Sequence, residues 1–202
     1  MSTICLIPVK NLDTAKSRLS SHFSENTRRE IFMYMLRKTV QIVNESTIKE
    51  CWLLSSDPEI KIFAKETGNY VFPDCAKGLN PTLKHYIHKG FNSGFDVMYL
   101  APDLPLINHI SLSKLLEVSN TAKIVIVPDL DKRGINSIIW EKNNFLGPFL
   151  GCNSYQKHIQ QSISLNKRIT TFENHQLQTD LDTINQFNEL PPSIRSKLLS
   201  LG

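Results

Sequence analysis

The chain has 202 residues, 41% of them hydrophobic and 21% charged, which fits one globular α/β domain over residues 1–202. Lysine and arginine total 23 against 19 aspartate and glutamate; the excess of +4 is spread along the chain, which suits a pocket for small anions and argues against the concentrated basic stripe of a nucleic-acid groove. No apolar run approaches the ~18 residues that span a bilayer, and MSTICLIPVK lacks a basic segment ahead of its apolar stretch, so a cytoplasmic protein without membrane contact is expected.

Short β-branched runs alternate with helical stretches, the pattern of a mostly parallel central sheet flanked by helices. In chain order, strands are expected over 4–9, 51–55, 70–72, 97–101 and 123–127. A long helix begins after Ser24 as N-cap and carries Phe32, Met35, Leu36, Thr39, Val40 and Val43 on one face at helical spacing. Further helices are expected over 58–66, 81–92, 111–120 and 154–165, with a short terminal helix opened by Pro191 and Pro192. Cys5, Cys51, Cys75 and Cys152 stand far apart, with no CxxC and no paired histidine to suggest zinc. Cys5 and Cys51 lie in apolar strand runs and read as buried reduced thiols.

Open sheets of this kind bind ligands at the carboxyl ends of their strands, so the residues directly after each strand carry the functional reading. After the first strand, Lys10, Lys16 and Arg18 fall within nine positions. Three cations around a turn can hold a triphosphate together with free backbone N–H groups, or can form a solvated basic turn. The segment is neither a Walker A loop nor a GxGxxG fingerprint. Asp103 follows the 97–101 strand, where a carboxylate can hold magnesium or can cap a helix or turn. Asp180 and Asp182 lie two apart in an extended segment, so alternation points both to one face, where they can complete a metal site with Asp103. The alternative has Asp182 capping the helix from Thr183 and leaves Asp180 on the surface. Gly78-Leu79-Asn80-Pro81 joins strand to helix through a glycine, and Gly151-Cys152-Asn153-Ser154 enters a helix whose N-terminal amides can bind an anion.

In this order the segments resemble the 2-phospho-L-lactate guanylyltransferase family, which includes phosphoenolpyruvate guanylyltransferases of deazaflavin coenzyme F-420 biosynthesis. IPVKNLDTAKSRL at 7–19 is close to the family's opening IPVK-x-L-x-x-AKSRL, and Thr27-Arg28-Arg29 and the Met35-Leu36 helix follow it. GLNPTL at 78–83 is similar to the stretch that borders the nucleotide base, and PDLPL at 102–106 to the metal-binding DLP segment. The family's GTN is present as Gly134-Ile135-Asn136, its GPGS-x-x-x-H as Gly151-Cys152-Asn153-Ser154 with His158, and its late acidic pair as Asp180-Leu181-Asp182-Thr183. The departures fall on the acceptor side: Ile135 replaces a threonine and offers no side-chain hydrogen bond, and Cys152 and Asn153 replace proline and glycine.

The resemblance implies a single-domain GT-A-like nucleotidyltransferase fold and transfer of GMP from GTP to a small phosphorylated carboxylic acid, with release of pyrophosphate. On that basis Asp103, Asp180 and Asp182 hold magnesium, Lys10, Lys16 and Arg18 steady the triphosphate, and Gly78 and Asn80 face the guanine or ribose. Ser154 and the Gly151 amide receive the acceptor phosphate beside Ile135, and His158 supports the loop. The acceptor expected first is 2-phospho-L-lactate, with phosphoenolpyruvate and 3-phosphoglycerate beside it. A homodimer is compatible with the sequence. Two rivals stand next to this reading: a molybdopterin-type nucleotidyltransferase, whose LxGGxSxRMG opening is absent, and a non-catalytic nucleotide-binding regulatory domain.

Overall fold

The alternating runs form, in a computed structural model, a single sheet covered by helices; residues 2–10, 12–75 and 78–201 are described, so Asn11 of the 7–19 segment lies outside the described residues. The strands are β1 (Thr3–Pro8), β2 (Glu50–Leu54), β3 (Tyr70–Phe72), β4 (Asp96–Leu100), β5 (Ile124–Pro128), β6 (Ile135–Trp140) and β7 (Thr170–Thr171). The helices are α1 (Glu25–Asn44), α2 (Pro58–Glu66), α3 (Leu79–Asn92), α4 (His109–Ser119), α5 (Ser154–Ser164), α6 (His175–Gln178), α7 (Ile184–Glu189) and α8 (Pro192–Leu199).

Across the sheet the order is β3-β2-β1-β4-β6-β5-β7. The β3-β2-β1-β4 half and the β5-β7 pair are parallel, while β6 runs antiparallel to both neighbours. From β1 the chain travels outward through β2 and β3, then crosses back to β4 on the other side of β1. Right-handed crossovers put α1 and α2 on one face and α3 on the other. Where the direction reverses, between β1 and β4, the crossovers splay apart and leave a crevice at the strand ends.

Local chemistry sets the helix starts. Ser24 accepts the Thr27 N–H, Asp57 accepts the Glu59 N–H ahead of Pro58, and Asn108 and Ser111 form a reciprocal capping box. The last of these moves the fourth helix two residues ahead of its expected start. Gly90 lets α3 lie directly on the sheet, since a Cβ there would come within 2.7 Å of both Ile4 and Val97. Gly134 has a similar role in the β5–β6 turn: Asp129 accepts the Arg133 and Gly134 N–H groups, and a Cβ on Gly134 would collide with its carboxylate.

β6 departs from the sequence reading, which had no strand there. INSIIW is buried throughout, so it carries no apolar-polar alternation and is short enough to pass as a turn segment. It pairs with β4 and β5 and makes the sheet mixed. The apolar residues fall into two clusters. The main core lies around the sheet; a second joins Leu19, Ile31, Met35, Leu181, Phe187, Leu190 and Leu198. α1 serves both, with Phe32, Leu36 and Val40 in the first and Ile31 and Met35 in the second. No described helix is long and apolar enough to cross a membrane.

Candidate active site

Three loops converge at the carboxyl ends of β1 and β4. The loop after β1 is tied to its surroundings at several points. Val9 N–H donates to the Leu54 carbonyl (2.9 Å), Leu12 N–H to the Asp57 carboxylate (3.2 Å), and Arg28 of α1 to the Ala15 carbonyl (3.0 Å). Lys16 follows with left-handed backbone (φ 51°, ψ 39°), a conformation that costs a non-glycine residue ~1 to 2 kcal/mol. Leu19 is buried in the second cluster and anchors the loop's far end.

Asp103 comes from the loop after β4, and Asp180 and Asp182 from the extended stretch after α6. That stretch lies beside Asp103, because Leu181 N–H donates to the Asp103 carbonyl at 3.2 Å. Leu181 is buried in the second cluster, so the aspartates on either side of it turn the other way, as alternation requires. Neither Asp103 nor Asp182 caps a helix: Asn108 caps α4 and Thr183 caps α7. Gln186 completes the Thr183 box, accepting the Asp182 and Thr183 N–H groups at 2.8 Å each, and its Nε2 donates to Asp180 Oδ1 at 3.2 Å.

The ammonium of Lys16 sits between two of the carboxylates, 2.5 Å from Asp103 Oδ2 and 2.8 Å from Asp182 Oδ1, with its side chain only 4% exposed. Arg18, 73% exposed, reaches Asp182 Oδ2 at 3.6 Å. Burial alone would lower the Lys16 pKa, but the charges of Asp103 and Asp182 and the hydrogen bonds to them outweigh it and raise it. Burial likewise works to raise the pKa of Asp182, and Lys16, Arg18 and Lys10 together reverse that and lower it. At Asp180 the charge of Lys16 is outweighed: burial, then the charges of Asp103 and Asp182, push it up to about 7. Tyr99 is raised too, first by burial and then by all three aspartates. Among the described residues, no group of three or more His, Cys, Asp or Glu is arranged as a ready-made metal site.

The resulting cavity, about 370 Å³, is walled by Lys10, Lys16, Arg18, Tyr99, Asp103 and Asp182, with Phe32 and Leu79 as apolar sides. The other expected site residues stand outside this wall. Gly78 has φ 109° and opens α3, whereas the Asn80 amide is engaged with the Leu150 backbone, donating to its carbonyl (3.0 Å) and accepting its N–H (2.9 Å). Asn80 thus ties α3 to the 145–153 loop. Ile135 is buried in the main core at the start of β6. Gly151 (φ 112°) is exposed, and Ser154 is fully buried at the first turn of α5 with no hydrogen-bond partner for its Oγ among the described residues. His158 supports the loop as expected: Nδ1–H donates to the Ser154 carbonyl (2.7 Å) and Nε2 accepts the Phe149 N–H (3.3 Å).

Three residues take on roles that the sequence reading did not give them: Tyr99 and Gln186, which it passed over, and Asn136, which it named only within the GTN-like segment. Tyr99 looked like strand core. Asn136 donates to the Leu177 and Gln178 carbonyls, fixing the segment that delivers Asp180. Gln186 was legible as the fourth position of a T-x-x-Q capping box.

The family described as guanylyl transferase CofC like matches residues 3–191. A phosphoenolpyruvate guanylyltransferase of Chloroflexus aggregans is 28% identical over 182 residues, covering 87% of this chain and 90% of its own. A 2-phospho-L-lactate guanylyltransferase of Methanocaldococcus vulcanius is 25% identical over 189 residues, covering 93% and 83%. In fold the chain is similar to a Desulfovibrio desulfuricans G20 protein classed among the nucleotide-diphospho-sugar transferases, with TM-score 0.79, 18% identity and coverage of 100% and 94%. A CMP:2-keto-3-deoxy-manno-octonic acid synthetase solved with CTP gives TM-score 0.63 at 10% identity, covering 99% of each chain. With the match running from β1 to the start of α8, the chain belongs to the family of CofC-like guanylyl transferases.

Proposed function

We propose that the chain transfers GMP from GTP to the phosphate of a small phosphorylated carboxylic acid, 2-phospho-L-lactate first, in the assembly of the deazaflavin coenzyme F-420. The observation that carries this reading is the meeting of Lys10, Lys16 and Arg18 with Asp103 and Asp182 at the crevice between β1 and β4, with Asp180 outside the cavity wall but near enough to feel the charges of both aspartates and of Lys16. A phosphate monoester has a second pKa of ~6 and is largely dianionic near neutrality, so its oxygen attacks the α-phosphorus without a base. The new bond joins that oxygen to the α-phosphorus, the bridge between the α- and β-phosphates breaks, and pyrophosphate leaves with the bonding pair. The protein's contribution is therefore placement and charge neutralisation.

Lys10 and Arg18, on the open side of the cavity, meet the triphosphate, and Gly78 and Leu79 border the nucleoside. Asp103, Asp180 and Asp182 offer only oxygen donors, which suits magnesium, and the cation that Lys16 already sets between two of them supports a cation-accepting position. Magnesium bound there would neutralise the phosphate oxygens. Gly151 and Ser154 supply the acceptor end at the N-terminus of α5, with Ile135 behind them, and Asn80 holds that loop through Leu150.

Phosphoenolpyruvate is the second acceptor reading, favoured by the identities: the phosphoenolpyruvate relatives stand at 27–28% and the 2-phospho-L-lactate relatives at 24–25%. Pyrophosphate release from GTP with 2-phospho-L-lactate, phosphoenolpyruvate and 3-phosphoglycerate tests both, with ATP and CTP as nucleotide controls. Release that needs GTP and one of these acids, and is lost in Asp103→Asn, supports the proposal. No release with any acid would return the chain to the regulatory-domain reading, and a preference for CTP or for a pterin acceptor to the molybdopterin-type one.

A further inference from the structure

One ammonium cannot neutralise a triphosphate and bridge two aspartates at once. Lys16 Nζ is committed to Asp103 and Asp182, almost fully buried, while Lys10 and Arg18 are exposed at the cavity mouth. The roles expected of Lys16, toward phosphate, and of the aspartates, toward a divalent cation, therefore exclude each other in the arrangement observed. Both become available only if the ammonium leaves the carboxylates.

We infer that Lys16 is an exchangeable counter-ion: it holds Asp103 and Asp182 together before substrate arrives, and yields its place to a divalent cation that enters with the nucleotide. The inference rests on the proposed guanylyltransferase reading and adds an order of events to it. Three features support it. The ammonium lies within hydrogen-bond distance of one oxygen on each carboxylate, so it stands where a bridging cation would. A divalent cation arriving alone must displace a paired, desolvated ammonium that then loses both of its carboxylate partners, a poor exchange in a low-dielectric pocket. Arriving with a nucleotide, the same cation brings phosphate oxygens that accept the displaced ammonium. Linkage makes the effect reciprocal, so nucleotide and cation each raise the other's affinity through this lysine.

As a positioning residue, Lys16 has a signature that a purely structural lysine lacks: its removal should strengthen metal binding. Manganese binding to the protein without nucleotide, followed by electron paramagnetic resonance of the free ion, is the measurement. Wild type should bind weakly, Lys16→Met about tenfold or more tightly, and Lys16→Arg, which keeps the charge, as weakly as wild type; couplings of this kind usually run to 5–150-fold. Lys16→Gln serves as the neutral variant if Lys16→Met is not recovered folded. Wild type binding manganese alone as tightly as the neutral variants overturns the exchange while leaving the guanylyltransferase reading in place. Manganese that binds neither the neutral variants nor wild type with GTP, beyond its binding to GTP itself, overturns the metal site and the exchange with it.

Discussion

Arg18 and Lys16 stand two residues apart and contribute in opposite ways. The Arg18 guanidinium is 73% exposed and 3.6 Å from Asp182, a geometry worth little to stability. The residue lines the cavity, where a well-formed charge-assisted bond to phosphate is worth ~1.5 to 3 kcal/mol. Arg18→Ala should therefore melt within a degree or two of wild type while KM for GTP rises about tenfold or more; an unchanged KM would make the residue a solvated charge. In the proposed reading Ile135 lies on the acceptor side. Its side chain is packed in the core at the head of β6 and carries no hydrogen-bonding group. A polar substrate group without a partner is discriminated against strongly. Ile135→Thr should shift the ratio of kcat/KM among 2-phospho-L-lactate, phosphoenolpyruvate and 3-phosphoglycerate, and identical ratios would remove position 135 from acceptor selection.

Among the elements, the loop from 145 to α5 depends on a neutral histidine. His158 holds it by donating from Nδ1 and accepting at Nε2, and burial lowers its pKa below the usual 6.5, an effect its backbone hydrogen bonds only partly offset. The unfolded chain then takes up the proton first as pH falls. This contribution to stability is complete above about pH 6.5 and is lost progressively below it, toward the folded pKa. His158→Gln should be less stable than wild type at pH 7.5 but lose less of its melting temperature on acidification to pH 5.5. Equal losses would place the acid sensitivity elsewhere. Five strands, β1 to β5, were legible from composition and spacing because each is a short, mostly apolar run followed by a turn or helix start. β6 was not, since a strand buried on both faces has no period-two pattern. The same limit hid the sharing of Lys16: proximity in sequence grouped it with Lys10 and Arg18, while the fold carries it 87 residues away in sequence to Asp103 and 166 to Asp182. Asp103, Asp180 and Asp182 could be grouped in advance because one follows a strand and two alternate.

At the scale of the molecule, the second apolar cluster joins the two charged loops to each other. Leu19 fixes the end of the Lys16–Arg18 loop and Leu181 fixes the Asp180–Asp182 stretch, and both pack with Phe187 of α7 and Leu198 of α8. The main core builds the sheet, and this smaller cluster sets the distance between Lys16 and Asp182. Phe187→Ala should therefore act twice. As a buried aromatic truncation it should cost ~3 to 5 kcal/mol of stability, and by loosening both loops it should lower kcat/KM for GTP in the protein that remains folded. Phe91→Ala supplies the comparison: it is similarly buried, but α3 begins at the cavity with Leu79 and runs back for twelve residues, about 18 Å, before reaching it. Measured well below both melting temperatures and normalised to folded protein, Phe187→Ala should lose about tenfold or more in kcat/KM and Phe91→Ala little. Equal losses in the two variants would mean that the cluster acts on stability alone, and that the spacing of Lys16 and Asp182 is set by the loops themselves.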